Sequence, residues 1–539
     1  MRHARLILNK VLQFSLVMAL AAGIAPAQTK TAASKPAATK TAPKANDSAA
    51  EERANRGLET AKSSPLALYA WLVKMPKGAD LHNHISGAVY AETFIKDAIE
   101  DHLCVNTTAL AFAKPTTSAS ADHPEPNCPE GDVPATRAEK EQNLYDALID
   151  AFSMRGFVPT TGTTAHDHFF ETFDRFRGTD KRHLGEWLDE LATRAASQNE
   201  QYLELLHTPA FTHAAAAAAA APWQDDLVKL RDDLLAHGLR DDIPVATAEL
   251  NAAEALRAKN ERCAQPDAAP ACQVKVRYLY QVLRGLPKEI VFAQTLLAFE
   301  TVGIDPRFVG LNFVMPEDGR IAMEDYVLHM HMLDVLHTLY PKVQISLHAG
   351  ELAPGIVPYE GLCCHIRLAV EQGHAQRIGH GVDIMYETRP HEILKEMAAK
   401  HVMVEINLTS NDAILGVFGD EHPFPIYHQF HVPMALSTDD EGVSRINLTH
   451  EFVRAVETYN LTYSELKELV RTGLEHSFLA GDSLWRERDN FRAPAAACAR
   501  EALGGENPKA ACAEFLKGSE KAAQQWELEA RFRQFESQF

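Results

Sequence analysis

The stretch Met-Pro-Lys-Gly-Ala-Asp-Leu-His-Asn-His, residues 75–84, contains the first of eight short segments that we predict as strands. Longer helical patterns separate these segments, which is the arrangement of parallel strands joined by crossover helices. The strands are predicted near 79–83, 201–206, 244–249, 307–313, 343–348, 377–380, 402–407 and 432–437. We therefore predict an α/β protein of the TIM (β/α)8 barrel type, a fold that holds about 250 to more than 400 residues in one domain.

The composition fits a globular protein with a large core. The chain has 539 residues, of which 46% are hydrophobic and 23% are charged. Its formal net charge of −20 repels polyphosphates and anionic lipid surfaces. Nucleic acid is therefore not expected as a partner, whereas a neutral small molecule carries no electrostatic penalty. The sequence does not indicate the oligomeric state.

The N-terminus predicts export. Arg2, Arg5 and Lys10 precede an apolar run over 11–24, and a small-x-small pattern at 25–27 fits a cleavage site. We predict a signal peptide over 1–27, and so a periplasmic or secreted protein that has no membrane contact after cleavage. A membrane anchor is the alternative, although the run is shorter than the roughly 20 residues of a span.

After the leader, residues 28–50 are rich in Lys, Thr, Ala, Ser and Pro, and we predict a flexible linker there. Residues 51–539 are expected to form one barrel domain with a helical N-terminal extension from Pro65 and a helical C-terminal extension. The segments near 104–137 and 258–274 break the strand and helix pattern, and we predict both as surface insertions stapled by disulfides.

Eight cysteines and export make disulfides permissible. Short separations favour three local pairs. These are Cys104 with Cys128, Cys263 with Cys272, and Cys498 with Cys512. Cys363 and Cys364 are adjacent in an apolar segment, where we expect buried thiols, with metal binding as the alternative.

Four clusters of chemically active residues lie at the carboxyl ends of predicted strands. His82 and His84 are two residues apart, so in an extended chain both imidazoles face one side and can share a metal. Ser346–Glu351 ends the fifth strand, with His348 as a third nitrogen ligand and Glu351 three residues further on.

The remaining two clusters end the sixth and eighth strands. His380 lies in Arg-Ile-Gly-His-Gly, where the flanking glycines allow a close backbone approach. Asp439 and Asp440 follow Leu-Ser-Thr. Barrel enzymes hold their active sites at the carboxyl ends of their strands. Imidazoles and a carboxylate that converge there suit zinc, with an open position for water.

Two other zinc chemistries do not fit the spacing. His391-Glu392 and His450-Glu451 lack the second histidine that a zincin helix requires four residues on. The His-x-Glu and Pro-Cys-x-x-Cys pattern of cytidine-type deaminases is also absent.

The motifs MPKGADLHNH, SLHAGE, RIGHG and STDD resemble, in order and spacing, those of the adenosine deaminase family of zinc amidohydrolases. The resemblance covers roughly 75–480, apart from the insertions. It implies one zinc per chain, bound by His82, His84, His348 and Asp439. It further implies three catalytic residues. Glu351 would protonate purine N1, His380 would assist the attacking water, and Asp440 would hydrogen-bond that water or purine N7.

The resemblance also implies substrate contacts. The implied residues are Ser86, Gly87, Phe169, Phe173 and Asp440. Phe169 and Phe173 share one face of a helix that would roof the pocket, with core aromatics as the alternative. We expect their neighbours His166 and His168 to be solvated surface residues.

The chain departs from the adenosine-specific pattern at two places. Ser86 replaces an aspartate, and Met315-Pro316-Glu317-Asp318 stands where Gly-Asp-Glu is usual. We expect a zinc-dependent hydrolase, an adenosine deaminase that converts adenosine, and also deoxyadenosine, to inosine and ammonia. The alternatives are a deaminase of adenine or of a modified adenosine, and a catalytically silent secreted binding protein.

Overall fold

The computed structural model describes residues 45–119, 125–179 and 181–539. The predicted signal peptide, 1–27, and residues 28–44 of the predicted linker lie outside these ranges. Helix Ala45–Ala61 begins inside the range expected for the linker. Among the described residues, each helix is too short or too polar to span a bilayer.

Eight parallel strands form the centre of the fold. Their bounds are Gly78–His84 (β1), Glu200–His207 (β2), Lys275–Leu283 (β3), Phe308–Val314 (β4), Ser346–Ala349 (β5), Arg377–His380 (β6), Met403–Ile406 (β7) and Met434–Leu436 (β8). Hydrogen bonds join β1 to β4 in sequence order, and they join β5 to β8 in the same way.

Two parallel bridges close the two half-sheets into a barrel. Leu311 of β4 pairs with Ile345, directly before β5, and Asn83 of β1 pairs with Asp439, three residues after β8. At the second seam, Asp439 N–H donates to the carbonyl of His82 over 2.8 Å. The predicted (β/α)8 barrel is therefore confirmed, and its last seam runs between two predicted site residues.

Helices connect the strands and cover the barrel. The first connection, from β1 to β2, holds Ile85–Ala88, Ala91–Glu100, Gln142–Ala151, Ala165–Arg175 and Leu184–Ser197. The next connections hold Thr212–Ala220, Leu227–Ala236 and Asp242–Asn260, then Lys288–Val302, then Arg320–Glu324 and Tyr326–Leu339. The last three hold His365–Glu371, Pro390–Lys400, and the pair Leu408–Leu415 and Phe424–Gln429. With both faces covered, six of the eight strands are buried at every position.

The predicted third strand, 244–249, is wrong. These residues lie in helix Asp242–Asn260, and the third strand is Lys275–Leu283. The buried positions Ile243, Ala246, Leu250 and Ala253 follow a helical spacing of three and four residues. A proline in the first helical turn removes no needed N–H, so the proline at 244 does not interrupt this helix.

The two ends of the described chain pack together. Helix Pro65–Leu72 brings the Trp71 ring within 4.9 Å of the Phe535 ring, measured between centroids. After β8 the chain forms helices Glu441–Ser444, Leu448–Tyr459 and Tyr463–His476, a hairpin of Trp485–Glu487 and Asn490–Pro494, and helices Ala510–Gly518 and Glu520–Glu536.

All eight cysteines form disulfides, and three of the pairs confirm the prediction. These are Cys104–Cys128, Cys263–Cys272 and Cys498–Cys512. The first pair closes an insertion that carries the short strands Cys104–Asn106, Ala111–Ala113 and Asp132–Pro134.

The expectation for Cys363 and Cys364 was wrong, because these two residues are bonded to each other. Their side chains are half-buried rather than buried. Cys364 has φ +86°, and the chain turns there into helix His365–Glu371. The apolar neighbours that suggested burial do not reveal such a turn.

Candidate metal and active site

The predicted site residues converge at the carboxyl end of the barrel. His82 and His84 end β1, His348 lies in β5, and His380 ends β6. Asp439 follows β8 and pairs with β1 across the closing seam. These five side chains are all buried. A barrel with its strands in this order therefore brings together residues that are up to 357 positions apart along the chain.

The backbone is left-handed at several of these positions. His380 has φ +71° and Asp439 has φ +61°, while Gly350 and Gly381 have φ +76° and +60°. Non-glycine residues seldom adopt such values, and those that do cluster at functional sites. Both His380 and Asp439 therefore lie at bends of the backbone at the carboxyl end of the barrel.

The donor atoms lie at separations that suit one divalent ion. His82 Nε2 is 3.0 Å from His348 Nε2, and His84 Nε2 is 3.3 Å from the same atom. Asp439 Oδ1 lies 3.2 Å from His84 Nε2 and 3.6 Å from His82 Nε2. Bonds of about 2.0–2.1 Å in a tetrahedron would place neighbouring donors about 3.3 Å apart.

Each of these three histidines forms a hydrogen bond through Nδ1, the ring nitrogen that faces away from the cluster. His82 Nδ1 is 2.6 Å from Glu405 Oε2, His84 Nδ1 is 3.0 Å from Gln281 Oε1, and His348 Nδ1 is 2.8 Å from Asn312 Oδ1. An oxygen acceptor at Nδ1 fixes the proton there and leaves the Nε2 lone pair free. The residues present therefore fit a metal ion at the point where the three Nε2 atoms meet.

Two donor sets overlap at Asp439. One comprises His82, His348, His380 and Asp439, and the other comprises His84, Asp439 and Asp440, with the donor atoms of each set within 4.8 Å of one another. Both predicted carboxylates and all four predicted histidines thus belong to one cluster. Distance alone leaves His380 as a candidate ligand beside the predicted four.

A buried ion-pair chain supports His82 from inside the barrel. Glu405, which accepts from His82, also forms an ion pair with Arg377, whose Nε lies 2.6 Å from the other Glu405 oxygen. Arg377 NH1 is in turn 2.7 Å from Glu204 Oε2. All three members are at most 1% exposed. Sequence reasoning missed Glu405, Glu204, Gln281 and Asn312, although a polar residue in the middle of an apolar strand is a usable indication.

Glu351 is placed by a carboxylate from the neighbouring strand end. Glu317 accepts the Glu351 N–H over 2.8 Å and the Gly350 N–H over 3.0 Å. Its Oε1 also accepts from His365 Nδ1 over 2.6 Å. Glu317 is one of the residues that depart from the family's usual Gly-Asp-Glu, and here it braces the chain that carries Glu351.

Burial sets the protonation of the two predicted acids. Burial, and then the negative charge of Asp439, raises the pKa of Glu351 well above its usual range. Burial also raises the pKa of Asp440 well above its usual range, against the opposing charge of His84, and the adjacent Asp439 adds to the rise. The site can therefore hold a neutral carboxylic acid at neutral pH, as proton delivery to a ring nitrogen requires.

Gly87 and Ser86 lie in the short helix Ile85–Ala88, directly after β1. A Cβ atom on Gly87 would lie 1.5 Å from Asp440 Oδ1, so only glycine leaves room for that carboxylate. Asp440 Oδ1 is buried and has no hydrogen-bond partner among the described residues. Ser86, the next residue toward β1, is half-buried.

Helix Ala165–Arg175 carries the predicted aromatic roof. The Phe169 ring lies 6.0 Å from that of Phe173, and both join an aromatic cluster with Phe170 and Phe176. Phe169 is only 1% exposed. Contact of Phe169 and Phe173 with a substrate stays a prediction.

The expectation of a solvated surface residue is wrong for His168, whereas the His166 side chain keeps 21% of its surface exposed. His168 is buried, stacks on Phe157 with ring centroids 4.2 Å apart, and bonds the Ser153 carbonyl. His166 Nε2 lies 3.2 Å from Asp318 Oδ1, which ties the helix to the loop after β4. Surrounding loops cover this helix face, so a polar local sequence did not indicate exposure.

Comparison with known proteins places these observations in a family. The adenosine deaminase family model matches residues 188–490, more than half of the chain. That range includes His348, Glu351, His380 and both aspartates. An adenosine deaminase of Clostridium perfringens is 35% identical over 136 residues, which span 25% of this chain and 38% of that relative. A second strain's adenosine deaminase gives the same values.

Two solved structures align with about three quarters of this chain. Arabidopsis N6-mAMP deaminase is 19% identical, with 77% of this chain and 96% of that chain covered and a TM-score of 0.48. A Burkholderia ambifaria amidohydrolase with bound zinc is 17% identical, with 77% and 89% covered and a TM-score of 0.49.

Proposed function

The chain belongs to the adenosine deaminase family, and we propose that it is a zinc-dependent hydrolase that converts adenosine to inosine and ammonia. The observation that carries the proposal is the convergence of a metal-donor cluster with the buried acid Glu351 at one end of a closed barrel. Deoxyadenosine, which has the same purine, is proposed as a second substrate.

The donor chemistry supports zinc, one ion per chain. Three imidazole nitrogens and one carboxylate suit a borderline divalent ion, and such an ion would take a water as its fifth ligand. His82, His84, His348 and Asp439 would hold the ion. When bound, such an ion supplies a water nucleophile by lowering the pKa of that water to about 7.

Metal analysis tests this assignment. We expect about one zinc per chain in the purified protein and a large loss of zinc in His82→Ala. Full zinc retention in that variant would remove His82 from the ligand set and leave the overlapping set around His84 and Asp440 as the metal site.

We assign proton donation and hydrogen bonding at the purine to Glu351, Asp440 and His380. Glu351 is proposed to donate a proton to ring N1, which makes C6 more open to attack. Asp440 would accept a hydrogen bond from the water or donate one to N7, depending on its proton. His380 would hydrogen-bond the attacking oxygen from the opposite wall. The acidic surface does not oppose a neutral nucleoside, and nucleic acid is not proposed as a partner.

Adenine and modified adenosines are the competing substrates, because Ser86 and Glu317 stand where adenosine-specific relatives differ. Ammonia release separates the candidates. Purified, zinc-loaded protein should release ammonia fastest from adenosine when it is compared with deoxyadenosine, adenine and AMP. Absence of ammonia from every purine would favour the catalytically silent binding protein and contradict the proposed activity.

Export is part of the proposal. The four disulfides support it, since structural disulfides persist mainly in oxidising compartments. The charged start, apolar run and small-residue pattern of residues 1–27 provide the matching leader. Cell fractionation should find the protein outside the cytoplasm, with an N-terminus close to residue 28. A cytoplasmic protein with an intact N-terminus would contradict export.

A further inference from the structure

Three residues behind His380 form a hydrogen-bond chain that leads away from the metal-donor cluster. Asn411 lies in helix Leu408–Leu415, which follows β7. Phe424 is the first residue of helix Phe424–Gln429, and His422 lies two residues before it. Asn411 and His422 are buried, and neither belongs to the predicted site.

The chain begins at a backbone amide, which can only donate. Phe424 N–H is 3.1 Å from His422 Nδ1, so this nitrogen is an acceptor and carries no proton. Burial, and then the charge of Arg454, lowers the pKa of His422 to about 3, so the ring is neutral. Its single proton therefore lies on Nε2.

The position of the proton on His422 determines the orientation of the Asn411 amide. His422 Nε2–H donates to Asn411 Oδ1 over 3.1 Å, which identifies the oxygen end of that amide. The opposite end, Asn411 Nδ2, lies 2.9 Å from His380 Nδ1. An NH2 group only donates, so His380 Nδ1 must accept.

The side-chain amide of Asn407 also directs its NH2 group toward His380 Nδ1. Asn407 Oδ1 accepts from Ser437 Oγ over 2.7 Å, which turns Asn407 Nδ2 toward His380 Nδ1 at 3.5 Å. Among the described residues the competing group is Glu351, whose Oε1 is 3.6 Å from Nδ1, too far for a hydrogen bond.

The proton of His380 is thereby directed to Nε2. This nitrogen is buried and has no hydrogen-bond partner among the described residues. The nearest carboxylate oxygen, Asp439 Oδ2, is 3.8 Å away. An N–H in this position points into the site and cannot offer a lone pair to a metal ion.

We propose that Asn411 and His422 are positioning residues that hold His380 as the Nε2–H tautomer, so that His380 acts as a hydrogen-bond donor to the attacking oxygen. In this state His380 is neither a metal ligand nor a base. The inference rests on the proposed deamination for its catalytic consequence, whereas the tautomer itself does not depend on any activity. The same tautomer removes His380 from the candidate metal ligands, so His84 remains as the third histidine beside His82 and His348.

Two variants distinguish a positioning role of Asn411 and His422 from a role in folding. Asn411→Asp keeps the size of the side chain and still accepts from His422, but it cannot donate to His380 Nδ1 and draws the proton to that nitrogen. We expect kcat for adenosine to fall about 10²–10³-fold, the effect of losing one donor at a reacting oxygen. KM and zinc content should change little.

His422→Gln preserves the direction of the chain, because an amide can accept from Phe424 N–H and donate to Asn411 Oδ1. We expect it to retain most of the wild-type kcat. Ser410→Ala is the matched control in the same helix, since Ser410 is buried and its Oγ has no hydrogen-bond partner among the described residues. Melting temperatures of all three variants report folding.

The direct test is ¹⁵N NMR of histidine-labelled protein, with and without metal, with the His380 signals identified from their loss in His380→Gln. We expect Nε2 to be protonated and Nδ1 to be bare in wild type, and the reverse in Asn411→Asp. A proton on Nδ1 of wild-type His380 would overturn the inference, as would wild-type kcat in folded Asn411→Asp. Protein that shows the expected tautomer but deaminates no purine would instead refute the proposed function and, with it, the catalytic part of the inference.

Discussion

Glu405 Oε2 lies 2.6 Å from His82 Nδ1, although the two residues are 323 positions apart in the chain. This contact joins the metal-donor cluster to the buried Arg377 and Glu204 chain in the barrel interior. We expect Glu405→Gln to weaken metal binding by about 10–100-fold, because a neutral amide is a poorer acceptor for the His82 imidazole.

Titration of metal-free protein with zinc measures this effect. Glu396→Gln is the control, since Glu396 pairs with Lys400 on the outside of helix Pro390–Lys400 and should leave the affinity unchanged. Unaltered zinc affinity in Glu405→Gln would show that His82 needs no support from this carboxylate.

Gly87→Ala should damage catalysis without removing the metal. The new Cβ would overlap Asp440 Oδ1 and displace that carboxylate, whereas His82 and His348 are untouched. We expect kcat to fall about 10²-fold, as a displacement of about 1 Å costs at a reacting centre. Gly162→Ala, where nothing lies within 4 Å of the added atom, is the control. Equal kcat in the two variants would mean that Asp440 has no part in turnover.

Ser86→Asp should shift the substrate preference. The resemblance to the adenosine deaminase family implies that adenosine-specific members usually have aspartate here. A carboxylate that contacts the sugar would add one charge-assisted hydrogen bond, worth about 1.5 kcal/mol. The ratio of kcat/KM for adenosine to that for adenine should rise roughly tenfold. Ser118→Asp, exposed in the insertion, tests for a general charge effect. If the ratio stays constant, another loop determines specificity.

All eight cysteines should resist alkylation until the protein is reduced. Peptide mapping without reduction should recover the four pairs, with Cys363 and Cys364 in one peptide that is lighter by two hydrogens. Labelling of Cys363 or Cys364 in native protein would restore the expectation of free thiols at this turn.

Local sequence patterns predicted seven of the eight barrel strands and the motif residues at their ends. Each of the four motifs lies at a strand end, so the positions of His82, His348, His380 and Asp439 followed once the strands were located. The third strand was misplaced because Val245, Ala246 and Ala248 give 244–249 a short apolar run, although only Ala246 of these six residues lies on the buried face of the helix.

Local patterns could not show which site residue each supporting residue contacts. Glu405, Asn411 and His422 reach the site only through the order of strands around the barrel and through hydrogen bonds between side chains far apart in sequence. No spacing rule connects them to His82 or His380. The paired Cys363 and Cys364 were missed for a different reason, since a positive φ at a non-glycine residue leaves no trace in hydrophobic patterning.

The most direct test of the account is adenosine turnover by Glu351→Gln compared with wild type at equal zinc content. Glutamine keeps the size and polarity of the side chain but cannot deliver a proton to purine N1. Melting temperature should therefore be close to that of wild type, while kcat should fall by about 10²–10⁴-fold, the usual contribution of a positioned acid. Near-normal turnover in zinc-loaded, folded Glu351→Gln would contradict the proposed mechanism, and loss of zinc from the variant would show that Glu351 is a ligand.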